Sequence, residues 1–217
     1  MLVTGIKSKP VYAPLEADGR GRFHLMLGLG VGRAPLLRVI AEIAASQPRA
    51  LDATQVLYVP DATDAGAGAD AAAESGTSGG DAPEFAAAGV SQVEMFKQPA
   101  PLLLRFRQIL DAALMGTRLY VAGPEHFIGL AMKTALEYNL NKDEIRAEEC
   151  GTRARRVYCI HCRSTAEQVR TNIVACAGCG RWLLVRDHYS RRLAAYMGVM
   201  VDAEAPGELP PVVEAFL

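Results

Sequence analysis

Four of the five cysteines fall into two Cys-x-x-Cys pairs, Cys159 with Cys162 and Cys176 with Cys179, spaced Cys-x2-Cys-x13-Cys-x2-Cys. Two tight turns of this kind present four thiolates at the corners of a tetrahedron, an arrangement that suits zinc or four-thiolate iron. The spacing predicts one bound metal, with a redox dithiol as the competing chemistry. Gly180, directly after the second pair, fits a turn that aims backbone N–H groups at sulfur, and Arg163 stands at the matching place after the first pair. His161 lies between the first two ligands and is expected at an exposed tip, because four sulfurs already close the shell. Zinc is favoured over iron. Arg153, Arg155, Arg156, Arg163 and Arg181 would offset the double negative charge of such a centre, although positive surroundings also raise an iron potential and leave iron open. Cys150 is the odd one out and is expected to be a buried structural thiol.

The elements that must hold these cysteines sit in an unusual charge landscape. The net charge is -1, yet residues 151–200 hold nine arginines against Glu167 and Asp187, about +7. Residues 201–217 carry four acids and no base, and residues 1–150 come to -4, so that +7 - 4 - 4 returns the total. A basic module is thus joined to a mildly acidic one, which favours acidic partners, protein or nucleic acid. With 50% hydrophobic residues in 217, the chain can bury a full-sized core plus a small appendage. No run of eighteen apolar residues is present, so no membrane span is expected. The first residues lack a signal-peptide pattern, and paired cysteines of this spacing belong in a reducing compartment. A cytoplasmic location is therefore expected.

Along the chain, Phe23 to Leu27 reads as a buried strand and Gly28, Gly30 and Gly32 as a turn. Pro35 stands in the first turn of a helix whose apolar face is Leu36, Leu37, Ile40 and Ile43. Thr54 to Pro60 is a second strand. Residues 61–90 are rich in Ala, Gly, Ser and Asp with almost nothing to bury, and are expected to form a mobile insertion. Val93 to Phe96 returns to strand. A helix over 101–114 capped at Gly116, a strand over 117–124, a helix over 126–140 and a short closing strand follow. This alternation predicts an open, Rossmann-like parallel α/β sheet over residues 1–150. A small four-cysteine domain over 151–217 then follows, with two strands after the second pair and an extended tail.

A glycine turn between a strand and a helix can admit a phosphate at the helix N-terminus, but the spacing alone equally describes a plain tight turn. The turn Gly30-x-Gly32-x-x-Pro35, followed by Ala122-Gly123-Pro124 and the segment Ile145 to Cys150, resembles the nicotinamide-nucleotide domain of ferredoxin reductase-type flavoproteins, the phthalate dioxygenase reductase branch in particular. The resemblance covers residues 22–150 and implies an NAD(P)H site using Gly28, Gly30, Gly32, Pro35, Gly123 and Pro124. The sequence departs from that pattern: Ala122 replaces the cysteine beside the nicotinamide, and Ala34 replaces a hydroxyl residue. About twenty residues precede the domain, too few for a flavin barrel, so a self-sufficient flavin reductase is not expected. The domain then either passes hydride to a flavin on another subunit or serves as a docking scaffold. Asp61 after the second strand would favour NADH over NADPH, or it merely starts the loop.

The stretch from Arg156 through Cys162 and Cys176 to Val199, attached to such a domain, resembles the DmmA family, a small subunit of bacterial haem-dependent dimethylamine monooxygenase. That resemblance implies oxidative N-demethylation of dimethylamine to methylamine and formaldehyde with O2 and NADPH. It further implies a hetero-oligomer with a haem-binding PAS-like subunit and a flavin and iron–sulfur reductase subunit. Haem, FMN, [2Fe–2S] and tetrahydrofolate would be held by the complex, on partner subunits rather than here. The ribbon would be zinc-ribbon or rubredoxin-like, acting in assembly or electron transfer without catalytic residues of its own. A basic zinc ribbon binding nucleic acid is the competing reading, weakened by the lack of aromatic residues interleaved with the arginines.

Overall fold

The computed structural model describes residues 8–60 and 83–217. Two compact units emerge from the chain's own contacts, Tyr12–Gly151 and a second made of Thr152–Leu217 with residues 8–11, the described part of Met1–Val11.

The larger unit is a parallel sheet of β1 (Phe23–Leu29), β2 (Thr54–Val59), β3 (Gln92–Met95), β4 (Thr117–Gly123) and β5 (Ile145–Glu149), in the order β3-β2-β1-β4-β5. Helices α1 (Arg33–Ser46), α2 (Pro83–Ala87), α3 (Pro99–Asp111) and α4 (Glu125–Glu137) alternate with the strands. The central strands are continuous apolar runs because both faces are covered. On one face Leu25, Leu27, Leu57, Leu119 and Val121 meet Leu102 and Phe106 of α3 and Phe127 and Ala131 of α4. On the other, Met26, Val56, Tyr58 and Tyr120 meet Leu36, Val39, Ile40 and Ile43 of α1. The sheet order reverses between β1 and β4, the place where open α/β sheets present loops to a ligand. Among the described residues no helix is long and apolar enough to cross a membrane.

At the start of β1 and β4 a polar network closes the opposite edge. Asp18, with its side chain 4% exposed, accepts from Arg20, Arg118 and Arg146. Its backbone N–H donates to the Tyr120 hydroxyl, which also meets Nδ1 of His24 at 3.2 Å. Donation from Arg20, then from Arg118, holds the Asp18 carboxyl well below the usual carboxylate range, against the opposing effect of burial.

Three details differ from the sequence reading. Residues 61–82, with Asp61, lie outside the described residues; within the remainder of the expected insertion, 83–87 are helical, and Phe85 and Val90 are fully buried against α1 and Tyr58. Two large apolar side chains in an otherwise small-residue stretch are enough to dock it. The third helix begins at Pro99 and stops at Asp111, and Gly116 sits later, at φ +90 just before β4. Cys150 is half-buried, its N–H donating to the Gly123 carbonyl.

The smaller unit is a second five-stranded sheet of β6 (Arg155–Cys159), β7 (Thr165–Val169), β8 (Ile173–Ala175), β9 (Trp182–Ser190) and β10 (Ala195–Met200), ordered β7-β6-β10-β9-β8. Only the β6–β10 pair is parallel. Its core is Val157, Val169, Val185, Tyr189 and Tyr196. The Arg155 guanidinium lies between the rings of Tyr196 and Phe216, at 4.0 and 3.8 Å from their centroids, and bonds Asp187 at 2.6 Å. The expected tail is therefore docked: N–H groups of Ala215 and Phe216 donate to the Arg170 carbonyl, and that of Asn172 to Val213. The N-terminal segment joins the same unit, with Ser8 N–H donating to the Asp187 carbonyl and Ser8 Oγ accepting from Tyr189 N–H.

Candidate functional site

The four cysteines come from two copies of one hairpin. After β6, the Arg163 N–H donates to the Cys159 carbonyl and the Cys159 N–H to the Ser164 carbonyl, each at 2.9 Å. After β8, the Gly180 N–H donates to the Cys176 carbonyl at 2.8 Å and the Cys176 N–H to the Arg181 carbonyl at 2.9 Å. The residue closing each turn takes a left-handed backbone, Arg163 at φ 67 and Gly180 at φ 71. Glycine does this freely, whereas an arginine there costs about 1 kcal/mol, so the first knuckle is held by its surroundings rather than by its own preference.

Both hairpins end at the same edge of the sheet, because β6 and β8 finish where β9 begins. All four sulfurs lie within 4.8 Å of one another, with Cys162 and Cys176 at 3.5 Å and Cys159 and Cys179 at 3.9 Å. Four sulfurs at about 2.3 Å from one tetrahedral ion would stand about 3.8 Å apart, so the donor set fits a single four-coordinate metal. Cys159 and Cys176 are buried with Leu183, while Cys162 and Cys179 are half-exposed. His161 is exposed and its Nδ1 meets an Arg181 guanidinium nitrogen at 3.1 Å.

Ser164 is the residue that sequence reasoning missed. Its hydroxyl stands 3.1 Å from both Cys162 Sγ and Cys176 Sγ. Gly178 makes room for it, since a Cβ there would come within 2.9 Å of Ser164 Oγ. That hydroxyl is the leading cause lowering the Cys162 and Cys176 thiols, the latter to about 6. Burial instead pushes Cys159 up to about 11. A serine two residues after a Cys-x-x-Cys pair is the available sequence signal, but nothing local ties it to a cysteine fourteen positions from Cys162.

The arginines are less of a counter-charge than their number suggests. Arg155 and Arg156 start β6, the end remote from the cysteines, where they pair with Asp187 and Glu167. Arg153 precedes them. Only Arg163 and Arg181 flank the knuckles, which corrects the expectation that all five offset the thiolates. Sequence proximity does not survive a five-residue strand, which separates its ends by about 13 Å.

At the other site, the two motifs of the larger unit do meet. Gly28 lies within β1 rather than in the turn, Gly30 and Gly32 form a single 3-10 turn, and Pro35 is buried in the first turn of α1. Gly123 ends β4 and Pro124 precedes α4. The glycines, however, answer to the chain's own packing. A Cβ on Gly32 would stand 2.2 Å from the Ala122 carbonyl oxygen, and one on Gly28 2.7 Å from the Tyr58 ring. The Tyr58 hydroxyl donates to the Gly30 carbonyl, and Arg33 at the start of α1 pairs with Glu84 at 3.2 Å. Ala122 is fully buried beneath this turn.

Two sequence families match in order along the chain. The family described as dimethylamine monooxygenase subunit DmmA-like, N-terminal domain, matches residues 4–145, and its C-terminal domain counterpart matches residues 156–199. A curated relative, the heme-dependent oxidative N-demethylase delta subunit of Ectopseudomonas mendocina (strain ymp), is 35% identical over 111 residues, covering 51% of this chain. The matched part spans 63% of that relative's length. Among solved structures, the Amycolatopsis cytochrome P450 reductase GcoB overlaps 61% of this chain and 38% of its own, at 17% identity and a TM-score of 0.43. Phthalate dioxygenase reductase overlaps 70% and 45%, at 13% identity and a TM-score of 0.39.

Proposed function

The chain belongs to the dimethylamine monooxygenase subunit DmmA-like family, and from that premise we propose that it is a non-haem subunit of a multi-component, haem-dependent oxidative N-demethylase, serving in assembly or electron transfer. The substrate on this reading is dimethylamine, converted to methylamine and formaldehyde with O2 and NADPH. The observation that carries it is the second family match, which falls on the ribbon holding all four cysteines. The relative named as a delta subunit supports a hetero-oligomeric setting. A haem-binding subunit and a flavin and iron–sulfur reductase subunit are the partners this reading requires.

Cys159, Cys162, Cys176 and Cys179 would hold the metal, with zinc proposed over iron. A bound tetrathiolate metal supplies a cross-link between the two knuckles, and in the iron form also a one-electron couple. What the chain contributes is the closed four-sulfur shell, two identical turns and the Ser164 hydroxyl shared by two sulfurs. The glycine turn loses its force as a nucleotide motif, because Gly28 and Gly32 are required by Tyr58 and Ala122. We therefore place NADPH oxidation on a partner subunit and read the larger unit as a scaffold.

Elemental analysis and a visible spectrum of the purified chain and of the assembled complex test this reading. A colourless chain with one zinc per four cysteines, recovered with a haem protein, is the expected result. A red chain with stoichiometric iron would make the ribbon an electron carrier. Failure to assemble with any N-demethylase subunit would remove the proposed function. NADPH titrated to millimolar concentration should leave amide signals around Gly30 unmoved; a saturable shift there would restore the nucleotide site.

A further inference from the structure

The ribbon has two chemically different ends. The strand directions send the last residues of β6, β8 and β10 and the first of β7 and β9 to the cysteine end. At the opposite end lie the second residue before β6, the residue after β7 and the turn joining β9 to β10. These positions are Arg153, Arg170, Arg191 and Arg192, and all four are exposed. Backbone bonds knit the corner together. Arg153 N–H donates to the Leu217 carbonyl, the tail donates to the Arg170 carbonyl, and the Arg156 guanidinium donates to the Leu193 carbonyl of the turn. Strands β7 to β9 are three steps apart in the sheet, so the four cations share a patch about 15 Å wide.

The remaining charges at this end are partly spent internally. Asp187 is taken by Arg155 and Glu167 by Arg156. Arg153, Arg170, Arg191 and Arg192 make no ion pair among the described residues. Strand β6 sets the near edge of this pole more than about 13 Å from Cys159, beyond a Debye length, so it does little for the thiolates. Arginine is also the cation best suited to forked, bidentate contact with carboxylates.

We infer that this arginine pole docks an acidic surface of another protein subunit, leaving the cysteine end uncovered. The inference rests on the reading of the chain as a subunit of a larger oxidase. Two observations favour a protein over a nucleic acid. Among the described residues the pole offers no free Tyr, Trp or Phe ring to a base, since Tyr189 and Tyr196 are buried and Phe216 is stacked on Arg155. Exposed Glu214, bridged to Thr171 next to Arg170, sets an acid beside the arginines, a mixed-sign pattern less suited to a continuous phosphate backbone than to a folded surface.

The test uses the intact chain and the separately purified remaining subunits of the N-demethylase from the same organism, with binding measured by calorimetry at two salt concentrations. Arg191→Glu combined with Arg192→Glu should weaken assembly about tenfold or more and flatten its salt dependence, with Arg170→Glu adding to the loss. Met200→Glu, an exposed position at the cysteine end of β10 and outside both knuckles, should change it less than about twofold. Circular dichroism and metal content guard against misfolding, and Arg191→Gln with Arg192→Gln provides a milder pair that should lose less. Equal affinity of wild type and the pole variants overturns this inference while leaving the subunit reading intact. Absence of any assembly by the wild type overturns both. Micromolar binding of a random 20-base-pair DNA duplex that the same variants abolish also overturns it, by giving the pole to phosphate.

Discussion

Replacing Gly32 by alanine asks whether the glycine turn is a packing device. The backbone there is ordinary, φ -60 and ψ -11, so alanine suffers no conformational penalty and the whole cost is contact. The new Cβ would sit 2.2 Å from the Ala122 carbonyl oxygen and 2.6 Å from its carbon, when such atoms normally keep about 3.3 Å apart, so something must move by about 1 Å. The obstacle is backbone, and it is fixed on both sides: Ala122 is paired with Gly28 of β1 and Glu148 of β5. Overpacking typically costs about 1–3 kcal/mol, and a rigid obstacle puts this case near the upper value. Against that, alanine gains about 0.4–1 kcal/mol by restricting the unfolded chain. The net loss is about 2 kcal/mol, which at about 2–4 °C per kcal/mol lowers the melting temperature of the larger unit by about 4–8 °C. Differential scanning calorimetry of the full chain reads it directly. Gly180→Ala is the control: nothing lies within 4 Å of its Cβ, so only the left-handed backbone at φ 71 costs, about 1 kcal/mol, and only in the ribbon. A Gly32→Ala protein melting within a degree of wild type would refute the packing account and return the turn to ligand binding.

Asp18→Asn should cost about 3 kcal/mol, because it removes the shared anion of Arg20, Arg118 and Arg146, and chemical denaturation would show it. The wild-type carboxyl is held below its unfolded value, so its contribution is complete above about pH 4 and fades as pH falls further; a stability profile that stays flat through that window, or that Asp18→Asn leaves unchanged, would contradict the network. Cys176→Ser should abolish stoichiometric metal and melt the ribbon while the larger unit keeps its own transition, as elemental analysis and calorimetry would register. Ser164→Ala should leave the four ligands in place yet lower metal affinity about tenfold in chelator competition, since it withdraws the hydroxyl that two sulfurs share. An unchanged affinity would make Ser164 a bystander.

The larger unit was legible because its signals are local. Leu25 to Leu27 is apolar on successive residues, as a strand buried on both faces must be, and Pro35 marks the helix that follows. The cysteine ligands were legible for the same reason, each pair being a single turn. What stayed hidden depends on partners remote in the chain. Nothing near Arg155 announces that it will be enclosed by Tyr196 and Phe216, and the parallel pairing of β6 with β10 joins Val157 to Tyr196. Phe85 was obscured by the small residues around it, although one buried ring suffices to fix a short helix. The arginine count misled because charge adds along a sequence but acts through space, and β6 carries Arg155 away from Cys159.

The bond between Ser8 and Tyr189 spans 181 residues, and that separation has a consequence for biosynthesis. At about 5–20 residues per second, the N-terminal segment waits about 10–35 s on the ribosome before its partner strand is made. Cys179 is synthesised ten residues ahead of Tyr189, so the knuckles can close on a metal while that segment is still unattached. The larger unit, lying wholly between the two, can fold in the interval. The first-made residues can return to β9 only once that strand exists, after the whole of the larger unit has been synthesised.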